Sequence, residues 1–174
     1  MTETDVTPSD INTKATRHVR ACLTAAGLDG QIMTLTETSR SAEEAAAAIG
    51  VPVGAIVKTL VFTITEHDTG KIWPVAALVS GDRQCHMKAL PDLAAIDGKP
   101  GRPDAATVKK ITGYSIGAVS PIGLDEDMTI LIDSALCRFD RVWASAGHTH
   151  LVVGLSFQEL TLLTSGRVTP DLAH

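Results

Sequence analysis

Residues 55–79 constrain the fold most. Two runs rich in β-branched and aliphatic side chains, 55–65 and 71–79, are separated only by the polar segment Glu66-His67-Asp68-Thr69-Gly70. A short polar link containing glycine suits a hairpin, so the two runs predict adjacent strands. Alternation puts Ile56, Lys58, Leu60 and Phe62 on one face of the first strand and Val57, Thr59 and Val61 on the other. Both faces are apolar enough to be covered by protein, which makes these central strands. Lys58 is out of place there. An ammonium in such a setting is costly unless it is paired, reaches water or lines a polar cavity. A lysine snorkelling at a strand end is the ordinary alternative.

The flanking sequence alternates between helical and extended patterns. Val19, Cys22, Leu23 and Ala26 recur at helical spacing over 14–26, and Gly27 supplies a stop. Residues 31–35 read as a short strand. Ser41 and Glu44 have capping-box spacing ahead of an alanine-rich helix that ends near Gly50, and Val51-Pro52 breaks the pattern. Gly81-Asp82 turns the chain, 87–95 reads as helical, and 96–103 reads as a loop carrying Lys99 and Arg102. Asp104 caps a helix that runs to Thr112 and stops at Gly113. Strands are expected at 116–119, 129–132, 141–145 and 151–155, and Ser156 with Glu159 opens a last helix to about Leu163.

Helices and strands thus interleave without a break in composition, which favours one α/β domain with a mixed, twisted sheet over 13–174, behind a frayed tail at 1–12. A chain of 174 residues is long enough to bury roughly 70% of the surface it exposes unfolded. Aromatic residues are only 3% of the sequence, so the core must be aliphatic. The apolar runs beside Lys58 are far too short to span a bilayer, and the acidic, polar start lacks the features of a secretory signal. A cytoplasmic protein without membrane contact is expected. Cys22, Cys85 and Cys137 are widely spaced and suggest neither a disulfide framework nor a zinc ribbon. A net charge of -5 argues against a protein that coats nucleic acid by neutralising phosphates, and no sequence-specific DNA binding is expected. A local contact with an RNA end stays compatible with that charge.

Three further segments can carry chemistry. Gly113, Gly117, Pro121 and Gly123 surround a short run where small residues let a ligand approach, and such a loop can offer N–H groups to an oxyanion or phosphate. Two ordinary turns would give the same pattern. Ser145-Ala146-Gly147-His148-Thr149-His150 joins two expected strands and can form a second wall of the same pocket. Its histidines, with Cys85 and His86, do not make a zinc-like ligand set, so no metal and no cofactor are expected. Ser145 has no histidine and aspartate in a nucleophile-elbow pattern, and Asp133 more often caps a turn.

Together these segments are more specific than singly. Ile56-Val57-Lys58-Thr59-Leu60-Val61-Phe62, then 112–123 with Gly117, Ser120, Pro121 and Gly123, then Ile132-Asp133, then Ala144-Ser145-Ala146-Gly147 resemble, in order and spacing, the YbaK/prolyl-tRNA synthetase-associated domain family. The resemblance covers about 28–163. It implies an α/β fold with a barrel-like sheet surrounded by helices. It also implies a free-standing editing deacylase that cleaves the ester of mischarged tRNA. Lys58 then falls on the family lysine as catalytic residue. Thr59, Gly117, Ser120, Pro121, Gly123, Ser145, Gly147 and His148 become substrate-binding residues. Leu35 and Val152 stand where cysteine-specific members carry a tyrosine and an aspartate, which aligns the chain with the EbsC-like branch. The implied partner is the tRNA acceptor end; an aminoacyl-tRNA synthetase and a second copy of the chain are further candidate partners, and the sequence does not fix the oligomeric state. A non-catalytic module binding the same RNA end, or a protein, is the alternative from another class.

Overall fold

The computed structural model describes residues 6–28 and 31–174. The hairpin forms as β2 (Val57–Glu66) and β3 (Ile72–Ser80), paired antiparallel with Lys58 opposite Val79 and Thr59 opposite Leu78. β3 is the middle strand of a five-stranded sheet, order β4-β2-β3-β5-β8, with β4 at Gly98–Gly101, β5 at Thr129–Asp133 and β8 at Arg167–Thr169. Its β4–β2 and β2–β3 pairs are antiparallel, while β3–β5 and β5–β8 are parallel, so the sheet is mixed as expected. A second, antiparallel sheet has the order β1-β7-β6, from β1 (Ile32–Thr34), β7 (Leu151–Leu155) and β6 (Val142–His148).

The two sheets meet where Ile56 bridges Trp143. The barrel-like single sheet is corrected by this arrangement, because the bridge does not continue into a ladder and both sheets stay open. One core fills the space between the sheets. Val57 and Leu78 pack there against Val142, Ala144, Val153 and Leu155, closed by Val19 and Leu23 of α1 (Lys14–Ala25). The second core lies on the opposite face of the larger sheet, around Phe62, Ile64, Val75, Ala77 and Leu172. Each fully buried Leu or Val in these clusters contributes about 1.5–3 kcal/mol.

The remaining helices are α2 (Ala42–Ile49), α3 (Leu90–Ala94), α4 (Ala105–Thr112) and α5 (Phe157–Thr164). Asp104 and Ser156 cap α4 and α5 as their spacing predicts, and the Ser156–Glu159 box is reciprocal. Ser41 also caps α2 through Glu44 N, but the Glu44 carboxylate turns back to Arg40 N (2.8 Å).

Three expectations change. Residues 116–119 form no strand, because Gly117 sits at φ +87°, outside extended backbone. Residues 96–103 contain β4, since Gly98 admits a backbone that any Cβ would place 2.5 Å from Thr65 O. The helix expected at 87–95 is a 3-10 turn, Met87–Ala89, followed by α3 with Pro91 in its first turn. Of the tail at 1–12, residues 1–5 lie outside the described residues. Residues 7–10 form a turn, and Ile11 packs against the core between the sheets.

Candidate active site

β4 covers only Thr63–Glu66 of β2, so from Val57 to Phe62 the edge of β2 away from β3 carries no strand. A cavity of about 600 Å³ lies along that edge. This is within the roughly 300–1,000 Å³ of small-molecule sites. The start of α2 and the Arg102-Pro103 turn after β4 line it together with β6, β7 and the Gly117 loop. Val57, Val61, Val119, Ala144 and Val152 make much of its wall apolar.

Lys58 is half-buried in this wall, and its Nζ donates a short hydrogen bond to the carbonyl oxygen of Arg83. It belongs to no ion pair among the described residues. A carbonyl leaves the full positive charge in place, so the ammonium can still act on an anion or a polarised carbonyl. The next residue carries a second unfilled group: Thr59 Oγ1 is buried and has no hydrogen-bond partner among the described residues. Leaving such a group unpaired costs about 1–3 kcal/mol.

Gly117, Ser145 and His148 also line the cavity, as the sequence suggested. Ser145 Oγ accepts from Gly147 N (3.2 Å) across the irregularity in β6, which leaves its proton to donate. His148 Nδ1 accepts from His150 N (3.1 Å), so the neutral ring carries its proton on Nε2 and can only donate from there. Burial first, and then His150, hold the His148 imidazole below the usual histidine range, with Asp10 opposing. Neither residue therefore presents a serine–histidine nucleophile.

The other expected binding residues are not at this wall. Gly147, at φ +92°, turns toward Ala15 and Tyr114. Ser120 is fully buried and its Oγ accepts from Ile122 N (3.2 Å), while Gly123 O contacts His18 Nε2 (2.8 Å) in a separate shallow surface pocket. Buried Pro121 lies between them. The cause is Tyr114, whose buried hydroxyl donates to Ile122 O (2.6 Å) and holds 120–122 in the structural core of the loop. Val152 stands on the cavity wall, whereas Leu35 is buried away from it with its carbonyl on His150 Nδ1 (3.0 Å).

The cavity also includes residues the sequence did not single out as binding residues: Arg40, Ser41, Arg102, Trp143 and Thr149. The Ser41 cap was legible, but no local signal says which way a helix start faces. Arg102 lies over the Phe62 ring, 5.6 Å from its centroid. Among the described residues, no group of three or more His, Cys, Asp or Glu side chains could hold a metal. His150 is engaged by Leu35 O, and burial raises the Cys85 thiol to about 11, so it stays protonated at neutral pH.

An open sheet edge flanked by a lysine, two arginines and an apolar wall has the chemistry to receive a small apolar group attached to an anion. Residues 36–163 match the aminoacyl-tRNA editing domain family, and the chain belongs to that family. Proline–tRNA ligase of Thermoanaerobacter sp. is 30% identical over 115 residues, 66% of this chain. The chain spans about a fifth of the length of such ligases, 19% of that one. The candidate Cys-tRNA(Pro)/Cys-tRNA(Cys) deacylase EbsC of Enterococcus faecalis is 28% identical over 76% of this chain and 77% of its own. A solved candidate trans-editing enzyme for prolyl-tRNA synthetase superposes with a TM-score of 0.79 at 29% identity, covering 93% of this chain and 98% of the other.

Proposed function

We propose that this chain hydrolyses the ester of mischarged aminoacyl-tRNA, acting in trans, with Lys58 as the central group. The observation that carries the reading is the half-buried, carbonyl-held Lys58 ammonium at the wall of the cavity along the open β2 edge. Family membership supplies the substrate class.

The aminoacyl side chain lies against Val57, Val61, Ala144 and Val152, which leave space for a small apolar group and offer it little polar recognition. Lys58 draws electron density from the ester carbonyl or holds the adjoining phosphate. The Gly117 N–H donates to the oxyanion as it forms, a kind of contact worth about 3–4 kcal/mol. Ser145 and His148 donate to the ribose or to the leaving oxygen. The attacking water rests on a backbone carbonyl of the open β2 edge or on a free ribose hydroxyl of the substrate, so no protein nucleophile is required. Arg40 and Arg102 take the phosphates of the acceptor end, whose local negative charge outweighs the acidic balance of the whole chain. Ser120, Pro121, Gly123 and Gly147 shape the loops and touch no substrate. A synthetase partner fits this role, since the matched segment is one part of proline–tRNA ligase chains.

A screen of tRNAs carrying different amino acids, with catalytic amounts of protein, tests the reading. Release of free amino acid over many turnovers is expected, for small side chains above all. Neighbouring aliphatic substrates should differ by only ~10 to 200-fold. Stoichiometric binding without turnover, or preference for an aromatic or basic aminoacyl ester, contradicts it.

A further inference from the structure

We propose that Arg83 is a positioning residue for Lys58, a role that rests on the reading of Lys58 given above. Among the described residues, the ammonium reaches one protein acceptor, the Arg83 carbonyl. A lysine side chain is flexible, and its charge is useful for chemistry only where that acceptor is itself immobile. Around Arg83 the chain is tied on every side. Arg83 N donates to Ser80 O (3.0 Å), and Gln84 exchanges two backbone hydrogen bonds with His174 (2.8 and 3.0 Å). His86 N donates to Leu172 O (2.8 Å), and Leu172 and Ala173 are buried in the second core.

The Arg83 side chain completes the clamp from two directions. Its Nη2 donates to Ala173 O in a short hydrogen bond, and its Nε lies 3.5 Å from Oδ2 of Asp133, an ion pair without hydrogen-bond geometry. Asp133 has no exposed surface and is fixed in turn by Ala135 N (3.0 Å) and Ser80 N (3.3 Å). Asp133 therefore acts two steps from the cavity, through Arg83, and belongs to the site's support. The guanidinium spans β5 and the segment 172–174, while the backbone of the same residue holds the ammonium.

The test compares Arg83→Met and Arg83→Lys with the wild-type chain, using Ala-tRNA(Pro) and Cys-tRNA(Pro) as substrates and the ¹⁵N–¹H signal of the Lys58 ammonium as a second readout. Arg83→Met keeps the stem and removes every side-chain donor. It should lower kcat by ~10-fold or more with KM within ~2-fold, and move or broaden the Lys58 signal. Arg83→Lys keeps a charge facing Asp133 but cannot also reach Ala173 O, so its kcat should fall between the two. A folded Arg83→Met with wild-type kcat and an unmoved Lys58 signal overturns the proposal. So does a loss of kcat that disappears on cooling in step with recovered folding. If Arg83→Met does not fold, wild-type kcat with an unmoved signal in Arg83→Lys overturns it. Failure here is separable from failure of the proposed function: an inactive Lys58→Ala beside a fully active Arg83→Met removes only the role of Arg83.

Discussion

His148 makes stability depend on pH in a defined direction. Its imidazole titrates lower in the folded chain than the usual 6.5, through burial and then His150. Protonation therefore favours the unfolded chain. The contribution is constant above about pH 6.5, declines as the pH falls from there toward the depressed folded value, and levels off below it. Melting curves of His148→Gln should lack that part of the decline, and an unchanged pH profile would show that another group carries it. Individual residues were unequally legible in the sequence. Lys58 stood out because a charge inside an apolar alternation is costly wherever the strand lies. Ser120, Pro121 and Gly123 look equally suggestive, yet the Tyr114 hydrogen bond holds Ser120 and Pro121 in the loop's own core, and Gly123 faces a separate surface pocket. A glycine pattern records backbone freedom, and freedom serves a tight turn as readily as a ligand.

Among the elements, α5 is the cleanest test of local coding, because both halves of its capping box are present. Ser156→Ala should cost about 1 kcal/mol, or roughly 2–4 °C in melting temperature, and leave deacylation unchanged because α5 does not line the cavity. A loss of activity at equal folding would tie α5 to the site. The start of α2 and the turn after β4 have the opposite character, since Arg40 and Arg102 line the cavity. Arg40→Ala and Arg102→Ala should each weaken tRNA binding, raising KM and lowering the slope of log affinity against log salt by about one. An unchanged slope in both would place the phosphates elsewhere. β4 shows what the sequence could not say. Its Gly-Lys-Pro-Gly composition reads as a loop, and only the close approach of Gly98 to Thr65 makes it a strand. Where β4 stops, the edge of β2 opens, so the site exists because a strand is short.

In the whole molecule, the alternation of elements and the mixed sheet followed from periodicity, whereas closure did not. Two open sheets touching at Ile56 and Trp143 leave the edge of β2 uncovered beside their shared core, and side chains from distant parts of the chain meet along it. No local pattern encodes that meeting, which is why Arg40 and Trp143 were not read as site residues. The proposed deacylase activity turns on Lys58. Single-turnover deacylation by Lys58→Ala, run beside thermal melts, tests it most directly. The variant should melt at or above the wild-type temperature, since a lysine without a carboxylate partner is removed from a half-buried position. Its deacylation should fall by ~100-fold or more, and Lys58→Arg should not restore it, because a planar guanidinium cannot take the place of a compact ammonium. A folded Lys58→Ala chain that deacylates at the wild-type rate would contradict the account.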